Sequence, residues 1–164
     1  MTAFQPLELT VAAEDDAYVD GLLLADALEE LAALPDDVRA DLAALQVRAR
    51  RAAYAAEWPD AIDYLVSVDG ARAGRLLVHT DEARFHVVDL RLHPARRGRG
   101  IGTRVLETVC DDADRAGLPV TLSVRADSST EAWYRRHGFV DAAAERDPEA
   151  SDLPLVRPAL GDGR

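Results

Sequence analysis

The sequence predicts an α+β fold on three observations: an early pair of helical stretches, a central run of alternating strands joined by short turns, and a closing alternation of strand and helix. Leu7-Glu8-Leu9-Thr10-Val11 alternates apolar and polar side chains, the two-residue period of a half-buried strand. From Asp15 to about Leu34 the period lengthens, with Val19, Leu22, Leu23, Asp26, Leu28, Leu31 and the alanines in a helical pattern. Pro35-Asp36-Asp37 stops that helix and caps a second one from about Val38 to Glu57. Trp58-Pro59-Asp60 ends the second helix, because proline has no N–H to continue it.

The period then returns to two. Tyr64–Val68 reads as a strand, Asp69-Gly70 as a hairpin turn and Gly74–His79 as the partner strand. Thr80-Asp81-Glu82-Ala83 turns the chain into a longer strand, Phe85 to Leu92, which Pro94 closes. The run Arg96-Arg97-Gly98-Arg99-Gly100-Ile101-Gly102 opens a helix reaching about Ala116, with Ile101, Val105, Leu106 and Val109 on one face. Gly117-Leu118-Pro119 terminates it. Val120–Val124 is the next strand, and Asp127-Ser128-Ser129 caps a short helix ending at His137-Gly138. Strands near Phe139-Val140 and at Leu153–Val156 follow.

The chain has 164 residues, 30 acidic against 19 basic side chains, a formal net charge of -11, one cysteine and 48% hydrophobic residues. That length suits a single domain, 1–164, with a core over about 6–158 and a loose tail at 159–164. The lone Cys110 excludes an intramolecular disulfide and any multi-cysteine zinc site, and the histidines show no metal-ligand spacing. The apolar stretches are broken by charged residues well short of the ~20 that a membrane span requires. Met1–Pro6 lacks a basic-then-apolar leader pattern, so a cytoplasmic protein with no membrane association is expected. The acidic surplus also argues against nucleic acid as a partner.

Every basic residue is arginine, and four of them crowd between Arg91 and Arg99, beside the glycine run. Glycines let the backbone turn tightly and expose its N–H groups, and a helix N-terminus adds unpaired N–H groups and partial positive charge. The functional reading of this junction is an anion site for a diphosphate; the bland one is a solvated arginine-rich loop. A dinucleotide fingerprint does not fit, because Gly98-x-Gly100-x-x-Thr103 lacks the third glycine and follows an antiparallel meander. A Walker-type loop fails for want of any lysine.

Arg97-x-x-Gly100-x-Gly102, after the strand Val88-Asp89-Leu90-Arg91-Leu92-His93-Pro94, resembles the coenzyme A-binding motif of the GNAT N-acetyltransferase superfamily. Val124-Arg125-Ala126-Asp127 followed by Ala132-Trp133-Tyr134-Arg135-Arg136-His137-Gly138-Phe139 resembles that family's later strand–helix signature. The resemblance implies a central mixed, mostly antiparallel sheet flanked by helices, with strands splayed around acetyl-CoA as acyl donor. It implies that backbone N–H groups of Gly98, Arg99, Gly100, Ile101, Gly102 and Thr103 hold the pyrophosphate, with Arg97 opening the loop. Leu90, Arg91 and Leu92 would offer main-chain groups to the acetyl and pantetheine portions, and Tyr134 would protonate the departing thiolate as general acid. A phenol, with a pKa near ~10, is protonated at neutral pH and suited to that task.

Asp127 stands where the family usually has a pantetheine-binding Asn, so it is read as a cofactor contact or as the N-cap of the short helix. Ser123 occupies a position where relatives acting on protein N-termini can carry a glutamate base. The base is therefore sought at Asp89 or His86, which point to opposite faces of their strand. The acceptor pocket implied by the resemblance lies in roughly Asp15–Asp60 and Ala142–Asp152, where Tyr54 and Trp58 either wall it or pack in the core. The expected reaction is direct acetyl transfer, through a tetrahedral intermediate, to the primary amine of a small molecule or peptide, without a metal. The alternatives are a non-catalytic acyl-CoA sensor, a longer acyl chain and a hydroxyl acceptor. Either a monomer or a homodimer fits.

Overall fold

The computed structural model describes residues 6–13, 16–142 and 152–160. In order, the elements are β1 (Leu7–Val11), α1 (Ala17–Glu30), α2 (Asp36–Glu57), β2 (Ile62–Val68), β3 (Ala71–Thr80) and β4 (Phe85–Leu92). A 3₁₀ turn (Pro94–Arg96), α3 (Ile101–Ala116), β5 (Val120–Arg125), α4 (Ser129–Arg136), β6 (Val140–Asp141) and β7 (Asp152–Arg157) follow. Among the described residues the strands form one mixed sheet in the order β1-β2-β3-β4-β5-β7-β6. β1–β2, β5–β7 and β6–β7 pair antiparallel, whereas β4 and β5 run parallel. This is the α+β class that the element order predicted, with the mixed, mostly antiparallel sheet that the resemblance implied. Residue contacts divide the chain into two compact units, Met1–Leu77 with Asp89–Gly102 and Val78–Val88 with Thr103–Arg164.

In the first unit, β1 and β2 pair from Leu7↔Val68 to Val11↔Tyr64. Helix α1 is shorter than its periodicity suggested: Asp16 caps it by accepting from the Tyr18 N–H at 2.9 Å, and it ends at Glu30. Val19, Leu23 and Ala27 of α1 pack with Ala43 and Val47 of α2 and with Leu65 of β2. Asp69 and Gly70, at φ 53° and 72°, make the left-handed two-residue turn that joins twisted antiparallel strands. A side chain at Gly74 would strike the Arg91 carbonyl and Leu92, so glycine is required where β3 passes β4.

In the second unit, Val105, Leu106, Val109, Cys110 and Ala113 form the buried stripe of α3, and Leu122, Val124, Leu153 and Leu155 supply buried strand positions. Arg157 donates two hydrogen bonds to the Asp114 carboxylate, at 2.9 and 2.8 Å, tying the end of β7 to α3. Leu160 lies in the expected tail, yet its N–H also donates to Asp114, at 2.9 Å. The N-cap of α4 is Ser128 rather than Asp127. The Ser128 hydroxyl accepts from Glu131 N–H at 3.0 Å, while the Glu131 carboxylate reaches back to Asp127 N–H at 2.6 Å. Asp127 itself sits at φ 56°, off the helix. The expected contributions of Asp15, of 143–151 and of 161–164 lie outside the described residues.

Candidate active site

The turn before α3 is built from local rules. The N–H groups of Arg96 and Arg97 donate to His93 and Pro94 carbonyls at 2.8 and 3.2 Å, closing the 3₁₀ turn. Gly98 and Gly100 then adopt φ 70° and 73°, a region that costs an ordinary L-residue roughly 1–2 kcal/mol. Buried Ile101 anchors the start of α3, whose first N–H groups have no acceptor within the helix. Among the described residues, no turn or loop backbone bond uses the N–H of Gly98, Arg99 or Gly100. All three residues are exposed.

The nearby arginines divide into two kinds. Arg97 donates from Nε to the Leu92 carbonyl at 3.0 Å and from Nη2 to Asp26 at 2.9 Å. Arg91 donates from Nη1 to the other Asp26 oxygen at 2.6 Å and from Nε to both oxygens of Asp89 at 2.9 and 2.8 Å. Their guanidinium groups are thus committed to shaping the loop. Arg96 and Arg99 have no carboxylate partner among the described residues.

The pairing continues inward. Arg75, with only 4% of its side chain exposed, donates to Asp89 at 2.9 Å and grips Asp63 with Nε and Nη2, both at 2.8 Å. Asp63, Arg75, Asp89, Arg91, Asp26 and Arg97 therefore alternate in sign along one continuous ladder. Burial works against the Arg75 charge, but the Asp63 and Asp89 carboxylates outweigh it and hold the guanidinium above the ordinary arginine range. Burial is likewise outweighed at Arg91 by Asp89 and Asp26. Sequence reasoning missed Asp26, Asp63 and Arg75 as site-shaping residues. Two signals existed: an acid on the apolar stripe of α1, and an arginine inside the apolar run Gly74–Val78.

The two base candidates differ in surroundings. Both oxygens of Asp89 accept from guanidinium groups, those of Arg75 and Arg91. His86 sits on the other face, its Nδ1 2.8 Å from the Thr121 hydroxyl. Burial pushes its pKa down to about 4, with Arg84 contributing, so the ring is neutral near pH 7. The Thr121 hydroxyl also lies 3.4 Å from the Phe85 carbonyl, within reach as a donor.

Leu90 and Leu92 are part-buried, and the parallel β4–β5 ladder covers only Phe85↔Val120 to Val87↔Leu122. Residues 88–92 of β4 make no ladder pair with β5. Tyr134 is the buried residue of α4, 7% exposed, packed edge-on against Trp133 and Phe139 at centroid distances of 4.7 and 5.4 Å. Trp133 is only part-buried. Asp127 is exposed, and its N–H is taken by Glu131. Cys110 is buried, and burial raises its thiol to about 11, which makes it inert. Tyr54 and Trp58 border a cavity of 610 Å³ together with Asp63 and Arg75. Among the described residues there is no cluster of metal ligands and no helix long and apolar enough to cross a membrane.

The chain was compared with known proteins. Residues 25–139 match the model of the acetyltransferase (GNAT) family. A search of curated proteins finds no match. Among solved structures, the PaiA N-acetyltransferase of Thermoplasma acidophilum, in complex with coenzyme A, superposes at TM-score 0.66 and 14% identity, over 93% of this chain and 99% of that one. The ribosomal-protein-S18-alanine N-acetyltransferase of Escherichia coli gives 0.60 and 16%, over 97% and 99%. An acetyltransferase of Streptococcus agalactiae gives 0.57 and 14%, over 94% and 99%. At these identities the superpositions establish a shared fold. The family match spans well over half of the chain, including the glycine turn and Tyr134, and on that ground the chain belongs to the acetyltransferase (GNAT) family of acyl-transferring enzymes.

Proposed function

We propose that the protein transfers the acetyl group of acetyl-CoA to the primary amine of a small molecule or peptide. The observation that carries this reading is the turn Gly98–Gly100, two left-handed glycines with unspent N–H groups leading into α3. Those donors, with the N–H groups of Ile101, Gly102 and Thr103, suit the pyrophosphate of the donor. Arg97 keeps the loop in shape through Asp26, and Arg99 supplies a cation at the rim. The main chain of Leu90, Arg91 and Leu92, which makes no ladder pair with β5, suits the acetyl and pantetheine amides.

A neutral amine attacks the thioester carbonyl, and a tetrahedral intermediate forms. Its collapse breaks the C–S bond, and Tyr134 gives its phenolic proton to the leaving thiolate. The Asp89 carboxylate holds Arg75 and Arg91 in place. His86, neutral and held at Nδ1 by Thr121, is the better-suited proton acceptor for the ammonium. With a pKa near 4 it is a weak base, so the acceptor has to arrive largely deprotonated and the rate should rise with pH.

The test combines calorimetry with free-thiol release from acetyl-CoA across an amine panel. Gly100→Val places a β-branched residue at φ 73°, and it is expected to abolish coenzyme A binding while the circular dichroism spectrum persists. Unchanged affinity in a folded Gly100→Val protein refutes the phosphate assignment. Binding without thiol release for any amine favours the sensor reading instead.

A further inference from the structure

Helix α2 buries one face and leaves an apolar stripe on the opposite one. Ala43 and Val47 are its buried residues, packed with α1 and β2. At about 100° per residue, Leu45 stands diametrically opposite that pair, and it is 53% exposed. Val38 and Leu42 lie on the same outer stripe and are 42% and 40% exposed. Ala49, Ala52 and Ala56, also exposed, carry the stripe to the end of the helix. These six positions advance by alternate steps of four and three, the heptad seam along which one helix packs against another. A helix that served only its own core would carry polar residues there.

The flanking charges select the occupant. Asp41 and Arg48 lie on the same side of the seam, and both are exposed. Among the described residues neither makes an ion pair, whereas Arg39, Arg50 and Arg51 of the same helix pair with Asp36, Glu30 and Asp20. An antiparallel copy of α2 turns this same flank toward the first, so that acid meets arginine twice. One register sets Leu42 against Leu45 of the second copy and Val38 against its Ala49. That register also leaves Asp41 only about 3 Å along the axis from the second copy's Arg48, within reach of a long side chain. A parallel copy would instead set this flank against Gln46 and Ala53, which carry no charge.

We propose that this outer face of α2 is a self-association surface. It binds the same face of a second copy of the chain, antiparallel, with Leu42 and Leu45 at the centre and two Asp41–Arg48 pairs along one side. The two helices overlap for about 24 Å, which with a width of about 10 Å gives a footprint on the order of 250 Å² per copy. That is well below the roughly 800 Å² per partner of a standard interface, so the dimer is weak and reversible, with a Kd on the order of 10–100 μM. The seam lies on one helix of the first unit, and the inference stands whether or not the acetyl-transfer reading does.

The experiment is sedimentation velocity of the full chain from about 5 to 500 μM at low ionic strength, where exposed charges are least screened. Circular dichroism and thermal midpoints serve as fold controls for every variant. The weight-average mass is expected to rise from one chain toward two across that range. Leu45→Glu, at an exposed position, should keep the thermal midpoint and weaken association by about tenfold or more. Asp41→Arg alone, or Arg48→Asp alone, sets like charges opposite each other and should weaken it about fivefold. The double reversal, Asp41→Arg with Arg48→Asp, should restore the original affinity. A single chain throughout the range, a dimer indifferent to Leu45→Glu, or a double reversal as weak as the single ones overturns the proposal.

Discussion

Replacing Asp26 with Asn is the sharpest test of the ladder. The carboxylate accepts from Arg91 at 2.6 Å, with both side chains 17% exposed, and from Arg97 at 2.9 Å, where the arginine is 46% exposed. A part-buried charged hydrogen bond contributes roughly 1.5–3 kcal/mol, and an exposed pair about 0.2–1 kcal/mol. The larger penalty for stranding a buried charge does not apply, since Arg91 keeps Asp89 and the amide oxygen of Asn can still accept one bond. The expected loss is therefore about 2–3 kcal/mol. With an m-value of about 2 kcal/mol/M, the urea midpoint should fall by about 1 M with no change in slope. Arg97 also borders the turn proposed to hold the pyrophosphate, so on that reading coenzyme A affinity should fall about fivefold, equivalent to about 1 kcal/mol of lost preorganisation. Denaturant titration and calorimetry on the same preparation read both effects. A midpoint shift below about 0.2 M together with unchanged affinity would refute the reasoning, because it would mean the ladder contributes neither stability nor loop order.

Three further outcomes are expected. Tyr134→Phe keeps the packed ring, so it should retain coenzyme A binding and lose about 10²–10³ in kcat, the lower half of the range for acid catalysis; equal kcat where chemistry limits the rate removes Tyr134 from the mechanism. The folded-state value near 4 for His86 lies below the 6.5 of the unfolded chain, so the unfolded state takes up the proton first as pH falls. Stability from this source is complete above pH ~6.5 and lost toward pH ~4, by about 2 kcal/mol after discounting for partial exposure. Urea midpoints of wild type and His86→Gln should therefore converge across that window, and a constant gap contradicts the assignment. Cys110, buried and raised to about 11, should resist aromatic disulfide reagents in the native protein and react only on unfolding; rapid native labelling would show that α3 opens locally.

Much of the backbone was legible because its signals are local. Asp69-Gly70, Pro94, the glycines before α3 and Gly117-Leu118-Pro119 act through dihedral preferences and bonds spanning a few residues, which a sequence displays directly. Strand β4 runs over Phe85–Leu92, as its pattern indicated. Where competing local signals adjoin, as at Asp127-Ser128-Ser129, periodicity could not choose the cap. The backbone decided it by sending Asp127 to φ 56° and leaving Ser128 to face the helix N–H groups.

The sequence by itself determined which segments become strands and helices, and where the glycine turn before α3 leaves backbone N–H groups outside the turn's own hydrogen bonds. Only the tertiary structure decided which arginines remain available to a ligand. Asp26 meets Arg91 and Arg97 across separations of 65 and 71 residues, and Arg75 meets Asp63 and Asp89 across 12 and 14. Charge pairing depends on distance in space, and chain spacing carries no information about it beyond a helical turn or a strand repeat. The same reason hid the divergence of His86 and Asp89. Alternation placed them on opposite faces, but only the packed fold decided that one face would be lined with guanidinium groups and the other would leave a neutral imidazole against a threonine hydroxyl.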